Sequence, residues 1–272
     1  MKSQSLNINF SGELKYITFP KLEKTGILKH CFTTRSGGVS EGCFSSMNMS
    51  FSRGDSRENV VSNYGIICDA AGIDVSHLVF TAQTHTDNCI IVTENDRGTG
   101  FSKPGFSDVD GLVTDRKGVA LVTQFADCTP ILFCDPRKKV IASVHSGWRG
   151  TVKRIGERAV RIMREKFGCE PKDIIAGIGP CIGQCCYEVD DPVFSAFRDA
   201  GFDTSLIFKP KDNGRYMLNM ALANKTVLVS AGINPQNIDV PDICTCCNSD
   251  EMFSHRALGE KRGNMAAIIE LK

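Results

Sequence analysis

Three short segments carry side chains that could hold a metal ion between them. Gln83-Thr84-His85-Thr86-Asp87 precedes an apolar run, and Ala126-Asp127-Cys128-Thr129-Pro130 separates two such runs. Val144-His145-Ser146-Gly147-Trp148-Arg149-Gly150 closes a third, where a strand gives way to a helix. Each offers one soft or borderline donor at a strand end, where side chains from different strands can converge. His85, Cys128 and His145 make a His2Cys set. Three protein ligands with a fourth position open is the pattern of catalytic rather than structural Zn2+. A metal held this way would draw the pKa of a bound water down to about 7, making a nucleophile available at neutral pH. The separations of 43 and 17 residues match no generic zinc motif such as HExxH or paired CxxC. A Cys between apolar strands also reads as a small buried hydrophobe, and either His as a satisfied or surface residue.

The third segment adds a second kind of chemistry. Gly147 and Gly150 flank Trp148 and Arg149 at the strand-to-helix junction. Unpaired backbone N–H groups and the helix dipole favour an anion there, and Arg149 could grip phosphate in a bidentate contact. The plainer alternative puts Trp148 in the core and Arg149 on the surface.

These residues need strands to bring them together. Cys89–Thr93, Val119–Gln124, Ile131–Cys134, Val140–His145 and Ile174–Gly179 are short β-branched apolar runs, the pattern of buried strands. Asp135-Pro136-Arg137-Lys138 reads as the turn of a tight hairpin. Beyond Gly150 the period becomes helical through Val152, Ile155, Ala159, Ile162, Met163 and Phe167. Further helices are expected at Arg57–Ala71, Pro192–Ala200 and Met217–Ser230, the last stopped by Gly232. Strands and helices mix without a βαβα alternation. The expected fold class is therefore α+β, a layered α/β sandwich with mixed sheets and not a Rossmann fold. No repeat or linker divides the chain, so residues 1–272 read as a single domain.

Composition narrows the function classes. The 272 residues contain 32 Lys+Arg against 31 Asp+Glu, a net charge of +1, which gives no global reason to bind nucleic acid or an anionic membrane. The amino-terminal stretch lacks an unbroken apolar core, so neither a signal peptide nor a membrane span is expected. The thirteen Cys sit in a chain far longer than a secreted disulfide framework, and several lie in the middle of apolar runs, which points to a reduced, cytoplasmic protein.

The motifs also fall in the order of a known family. Thr33-Thr34-Arg35-Ser36-Gly37-Gly38-Val39-Ser40, then Ser46-Met47-Asn48, the QTH of Gln83–His85 and Asp108-Val109-Asp110-Gly111-Leu112-Val113-Thr114 come first. ADCTPILFCD, VHSGWRG, GIGPCIG with Tyr187-Glu188-Val189, and a late Cys244-Thr245 with Phe253-Ser254-His255-Arg256 follow. From about His30 onward the chain resembles the laccase-domain, or polyphenol oxidase-like, proteins, described as purine nucleoside phosphorylases with adenosine deaminase activity. The resemblance implies that His85, Cys128 and His145 are zinc ligands. The chain departs from the family at Ser254-His255-Arg256-Ala257, where Tyr usually follows the Ser. It departs again at Lys261-Arg262-Gly263-Asn264-Met265, where many members have a Gly-Arg pair. Both departures bear on substrate preference rather than on the metal.

The family's older name implies copper oxidation of phenols, but the chain holds only five His, too few for a four-copper oxidase. A single copper in a His2Cys site is chemically conceivable, without the closely spaced Cys, His and Met on one loop that such sites usually show. Phosphorolysis and deamination suit the motifs better. Breaking an N-glycosidic bond builds positive charge on the ribose and needs a positioned anionic nucleophile; Arg149 and Arg35 are the phosphate-binding candidates. Asp127, beside Cys128, is the candidate proton shuttle for deamination. Gln83 and Asn48 could read purine or ribose edges, or fix loop geometry. The expected partners are a purine nucleoside and phosphate, with the oligomeric state open. Amide hydrolysis on cell-wall peptide precursors, associated with some family members, and non-catalytic metal or metabolite binding are the other readings.

Two other patterns resolve less. Pro180-Cys181-Ile182-Gly183-Gln184-Cys185-Cys186 is one residue too long for the PCxxC of zinc nucleobase deaminases, and Ile182 stands where a dinucleotide fingerprint needs its third glycine. Gly177 and Gly179 then read as a turn that lets the chain pass close to the site. Cys181, Cys185 and Cys186 with Cys244, Cys246 and Cys247 could form a second metal site or a redox pair, or need no partner.

Overall fold

A computed structural model describes all 272 residues. The first part of the chain supplies β1 (Asn7–Ser11), β2 (Leu14–Thr18), α1 (Pro20–Glu23), β3 (Leu28–Thr33), α2 (Arg57–Ala71), β4 (Leu78–Phe80) and β5 (Cys89–Ile91). The central part contains β6 (Gly111–Thr114), β7 (Ala120–Phe125), β8 (Thr129–Asp135), β9 (Val140–Ser146), α3 (Trp148–Val152), α4 (Ile155–Phe167) and β10 (Ile175–Ile178). The remainder holds β11 (Glu188–Val189), α5 (Asp191–Asp199), α6 (Thr204–Ile207), β12 (Phe208–Pro210), β13 (Tyr216–Leu218), α7 (Met220–Ser230), β14 (Ile238–Asp239), α8 (His255–Leu258) and β15 (Met265–Leu271).

Two six-stranded sheets dominate, in orders β1-β2-β3-β15-β7-β4 and β14-β10-β8-β9-β6-β5. Each mixes strand directions: β4–β7, β5–β6 and β10–β14 are parallel pairs and the remaining pairs are antiparallel. This is the expected layered sandwich with mixed sheets, and no doubly wound parallel sheet is present. The strict alternation of side chains along a strand explains the layering. Met265, Ala267 and Ile269 of β15 join Leu121 of β7, Leu132 of β8 and Ile141 of β9 in the core between the sheets. Ala266 and Ile268 point the other way, with Ala120 and Val122, against Val60, Tyr64 and Ile67 of α2. Ile131, Phe133, Val140 and Ala142 pack outward against Ile155, Ala159 and Met163 of α4 and Leu228 of α7. β8, β9 and β15 are buried along their whole length, so they read as unbroken apolar runs.

Local signals set several boundaries. The Ser56 side chain accepts the Asn59 N–H at the start of α2, and Gly72, at φ +67°, ends it. The Asp135 carboxylate accepts the N–H groups of Arg137 and Lys138, closing the β8–β9 hairpin as expected. Three expectations are corrected. The helix after Gly150 is two helices, because Arg154 takes a left-handed φ of +60° between α3 and α4. Met217 lies in β13, and the helix begins only at Met220, where the Asn219 side chain caps the Leu222 N–H. Gly177 is a strand residue rather than part of a turn. A Cβ on it would lie 2.7 Å from the Phe19 ring, and one on Gly179 would lie 2.5 Å from Pro130 Cγ, so these glycines permit close packing across the sheet.

A smaller sheet, β11-β13-β12, with α5, α6 and α7 closes its own apolar cluster around Phe197, Phe208 and Leu218 beside the sandwich. No helix is long and apolar enough to cross a membrane.

Phe32, fully buried between the sheets, stacks on Phe125 with ring centroids 4.7 Å apart. Phe32→Ala is expected to cost about 3–5 kcal/mol, read as a lower urea midpoint at unchanged m-value; a shift below about 1 kcal/mol would contradict this account of the core.

Candidate active site

The sandwich brings the three separated donors to one end. In the β8–β9 hairpin Thr129 pairs with Ser146 and Pro130 with His145. Cys128, just before β8, and His145, near the end of β9, are therefore neighbours. His85 reaches them from the loop between β4 and β5. His85 Nε2 and Cys128 Sγ are 3.9 Å apart, and the donor atoms of His85, Cys128 and His145 lie within 4.8 Å of one another. Tetrahedral Zn2+ with bonds of about 2.0–2.3 Å holds such donors about 3.3–3.8 Å apart, so a small closure suffices. His145 is buried, Cys128 half-buried and His85 exposed, which leaves one face of the set open.

The carboxylate that orients this set was not singled out from the sequence. Asp110 is fully buried, and its Oδ1 lies 2.7 Å from His145 Nδ1. It also accepts the backbone N–H groups of Thr84, His85 and Thr86, so it fixes the His85 loop against the His145 strand. Such a bond to the remote ring nitrogen sets the tautomer and leaves Nε2 for a metal. Burial alone would raise the Asp110 carboxyl, but the bonds from His145, Thr86 and Thr84 hold it below the usual carboxylate range. Burial would likewise raise the Cys128 thiol, yet His145 and then His85 bring it down to about 6. Burial would lower His145, but Cys128 and Asp110 push it up to about 9. Each group thus favours the charged form of the other, and a metal would take the thiolate and displace a proton from the ring.

Two backbone features shape the centre. His85 and Asp127 are non-glycine residues in the left-handed region, at φ +64° and +82°; each such position costs on the order of 1–3 kcal/mol. Gly147 must lack a side chain, since a Cβ there would lie 2.8 Å from His85 Cδ2 and 3.2 Å from Cys128 Sγ. The donor chemistry, the spacing and this cleared space all fit a divalent metal.

The open face looks into a cavity of about 520 Å³, within the ~300–1,000 Å³ range of small-molecule sites. Gln83, Asp127 and Arg149 line it, but Arg35 and Asn48 do not. The Arg35 guanidinium donates to the carbonyls of Ser45 and Ser249 and lies over the Phe253 ring, so it is committed to tying loops together. Asn48 is fully buried and bonds Ser50, Asp55 and Asn264. Gln83 is bonded to Thr81 and to both backbone groups of Gln124. The Asp127 carboxylate accepts from the Thr245 hydroxyl and the Arg256 N–H, which anchors the start of α8. The Arg149 guanidinium makes no hydrogen bond or ion pair within the protein and stacks over Trp148 at 4.3 Å. Helix α3, which follows this turn, is only five residues long, so it contributes little dipole to hold an anion there.

Arg53, Tyr187, His255, Arg256 and Arg262 also line the cavity. The Nε atoms of Arg53 and Arg262 are buried without a hydrogen-bond partner. Burial and then the neighbouring Arg53 pull Arg262 down to about 10. Its only trace in the sequence was a departure from a motif. The Arg256 guanidinium holds the Cys186 and Glu188 carbonyls and lies over the Tyr187 ring. The substituted His255 sits at the rim beside Glu260.

The family described as multi-copper polyphenol oxidoreductase laccase matches residues 29–272. The chain belongs to this laccase-domain family. The purine nucleoside phosphorylase YlmD of Bacillus subtilis is 37% identical over 89% of this chain and 87% of that protein. The adenosine deaminase RL5, from an unknown prokaryotic organism, is 32% identical over 89% of this chain and 96% of that protein. The crystal structure of the hypothetical protein YfiH of Bacillus licheniformis aligns with a TM-score of 0.92 at 34% identity, covering 97% of this chain and 99% of that chain. In this laccase-domain chain only two of the five His converge. His30 accepts the Phe19 N–H, His77 faces Glu270, and His255 stays at the cavity rim.

Asp110→Asn is expected to weaken metal binding by about 10–100-fold, measured by competition with a chelator. Gly147→Ala, whose methyl meets the His85 ring, should shift affinity in the same direction. Unchanged affinity in Asp110→Asn would remove the carboxylate from the role assigned to it.

Proposed function

We propose that the chain is a zinc-dependent purine nucleoside enzyme whose residues 1–272 form one catalytic domain. It cleaves adenosine, inosine, guanosine or methylthioadenosine with phosphate, giving the base and ribose-1-phosphate, and it deaminates adenosine to inosine. One observation carries this reading: a three-donor His85/Cys128/His145 set opens onto a cavity whose wall presents Arg53, Arg149 and Arg262. A metal-binding face and an anion-binding wall thus share one small-molecule pocket. The names of the phosphorylase and deaminase relatives support it.

In this reading Arg149 grips phosphate, since its guanidinium has no partner in the protein. Arg53 and Arg262 add positive charge to the same cavity wall. Held there, phosphate is positioned for in-line attack on the ribose carbon as the glycosidic bond opens. The rings of Trp148 and Tyr187 offer stacking surfaces for a planar base. When bound, a divalent metal supplies Lewis-acid polarisation and water activation at neutral pH. Asp110 holds His145 in the required tautomer. Asp127 remains the candidate proton carrier for deamination, and its two existing bonds orient it beside Cys128. Gln83 shapes the wall through its bonds to Gln124.

Zinc is favoured over copper by the open three-ligand His2Cys set and by the three remaining His lying outside that donor set. A multi-copper centre would lack ligands in this chain.

Cys128→Ser should lose both metal and activity, the latter by at least about 100-fold. Adenosine and inosine, each incubated with and without phosphate and resolved by chromatography, test the reactions. Base released only with phosphate demonstrates phosphorolysis, and inosine formed from adenosine demonstrates deamination. If neither nucleoside changes while a phenol is oxidised only with copper present, the reading fails. Arg149→Ala should raise the KM for phosphate by about 10–100-fold, the worth of a charge-assisted hydrogen bond, with a smaller change for the nucleoside.

A further inference from the structure

Four cysteines from two loops converge beside the Asp127 turn. Cys185 and Cys186 lie in the loop leading into β11, and Cys244 and Cys247 lie in the turn after β14. Cys181 and Cys244 form a β-bridge between these loops, with the Thr245 N–H donating to the Cys181 carbonyl. All four sulfurs lie within 4.8 Å of one another. Cys247 Sγ is 3.5 Å from Cys185 Sγ and 3.4 Å from Cys186 Sγ. Cys244 Sγ accepts the backbone N–H groups of Gly183 and Cys247, an environment that favours a thiolate. A side chain at Gly183 would crowd the cluster, since a Cβ would lie 3.0 Å from Cys244 Cβ and 3.1 Å from Cys185 Sγ.

We propose that Cys185, Cys186, Cys244 and Cys247 bind one zinc ion in a closed tetrathiolate site that staples two loops at the edge of the active cavity. This inference does not depend on the nucleoside reading. Tetrahedral zinc with bonds of about 2.3 Å sets its sulfurs about 3.8 Å apart, close to the arrangement present. A polynuclear iron–sulfur cluster needs its cysteines spread more widely, so a single ion fits better. Disulfide pairing fits less well. Cys247 is almost equidistant from two sulfurs, and neither contact approaches the S–S bond length of about 2.05 Å. Four protein ligands leave no open position, which marks the site as structural, in contrast to the three-donor set. Cys185 and Cys247 are exposed, so an ion can enter from solvent.

The position gives the site its consequence. Ile182 and Tyr187, on the first loop, line the cavity. Thr245, on the second, bonds the Asp127 carboxylate, while Arg256 holds the Cys186 and Glu188 carbonyls. A zinc joining the loops therefore fixes the Tyr187 wall against the Asp127 turn.

Native mass spectrometry of protein purified with Zn2+ and desalted tests this. Wild type should carry two zinc ions, and Cys128→Ser and Cys247→Ser one each. Cys247→Ser should also melt at a lower temperature. A wild type with one zinc that only Cys128→Ser removes would overturn the tetrathiolate site and leave the active-site metal standing. One zinc that only Cys247→Ser removes would do the reverse. Cobalt(II) substitution of wild type needs no variant to fold. Thiolate-to-cobalt charge transfer matching five cysteine ligands over two ions supports the proposal, and a signal matching one ligand overturns it. Non-reducing peptide mapping that finds a disulfide among the four would also overturn it.

Discussion

A buried carboxylate governs the distance between the His85 loop and the His145 strand. Asp110 has no access to solvent, and a charge in that position is tolerated only when hydrogen bonds replace its lost hydration. Three successive backbone N–H groups and the His145 ring provide them. The same four bonds therefore solvate the anion, fold the Thr84–Thr86 loop and orient an imidazole. The strained φ of His85 is part of that arrangement, because the loop must turn sharply for all three N–H groups to face one carboxylate. Removing the carboxylate would take away the shared partner of these four donors at once.

The sandwich makes this possible by being rigid where the site is built. β8 and β9 are covered by helices on one side and by the second sheet on the other. Their ends cannot shift without disturbing close-packed side chains on both faces. Cys128 and His145 inherit that precision from the hairpin register. The other cavity walls are made by loops whose polar side chains bond one another. Asp127 joins the β7–β8 turn to Thr245 and α8, and Arg256 joins α8 to the loop before β11. Cys128 and His145 thus rest on the sheets, while the loop wall of the cavity rests on a polar network centred on Asp127 and Arg256.

This division explains what was legible in the sequence. The strands were readable because burial on both faces produces unbroken apolar runs, and α2 because Ser56 and Gly72 mark its ends. The split at Arg154 was not readable, since the apolar spacing continues across it and only the backbone conformation changes. His85, Cys128 and His145 stood out as donors of the right type at strand ends, and the family motifs lent them a shared role. Asp110 lay inside one of those motifs but carries no signal of its own, because a buried Asp looks like any other Asp until its donors are placed. Arg35 and Asn48 failed for the opposite reason. Their motif is real, but their polar atoms are committed to loop carbonyls and turns, and composition cannot distinguish an arginine that holds the fold from one that faces a ligand.

The same distinction bears on the thirteen cysteines. Those in strands and helices, such as Cys31, Cys89 and Cys134, are buried among apolar side chains, and burial pushes each thiol up, away from metal-binding chemistry. Cys128 is lowered instead, because two imidazoles face it. What separates Cys128 from buried thiols such as Cys31, Cys89 and Cys134 is therefore the charge opposite it, a tertiary property that spacing does not encode. The five His divide similarly: two face a thiol and a buried carboxylate, and three are placed elsewhere. A family description built around several coppers asks for more converging imidazoles than this fold brings together. One open three-donor set facing the cavity is what the geometry supplies.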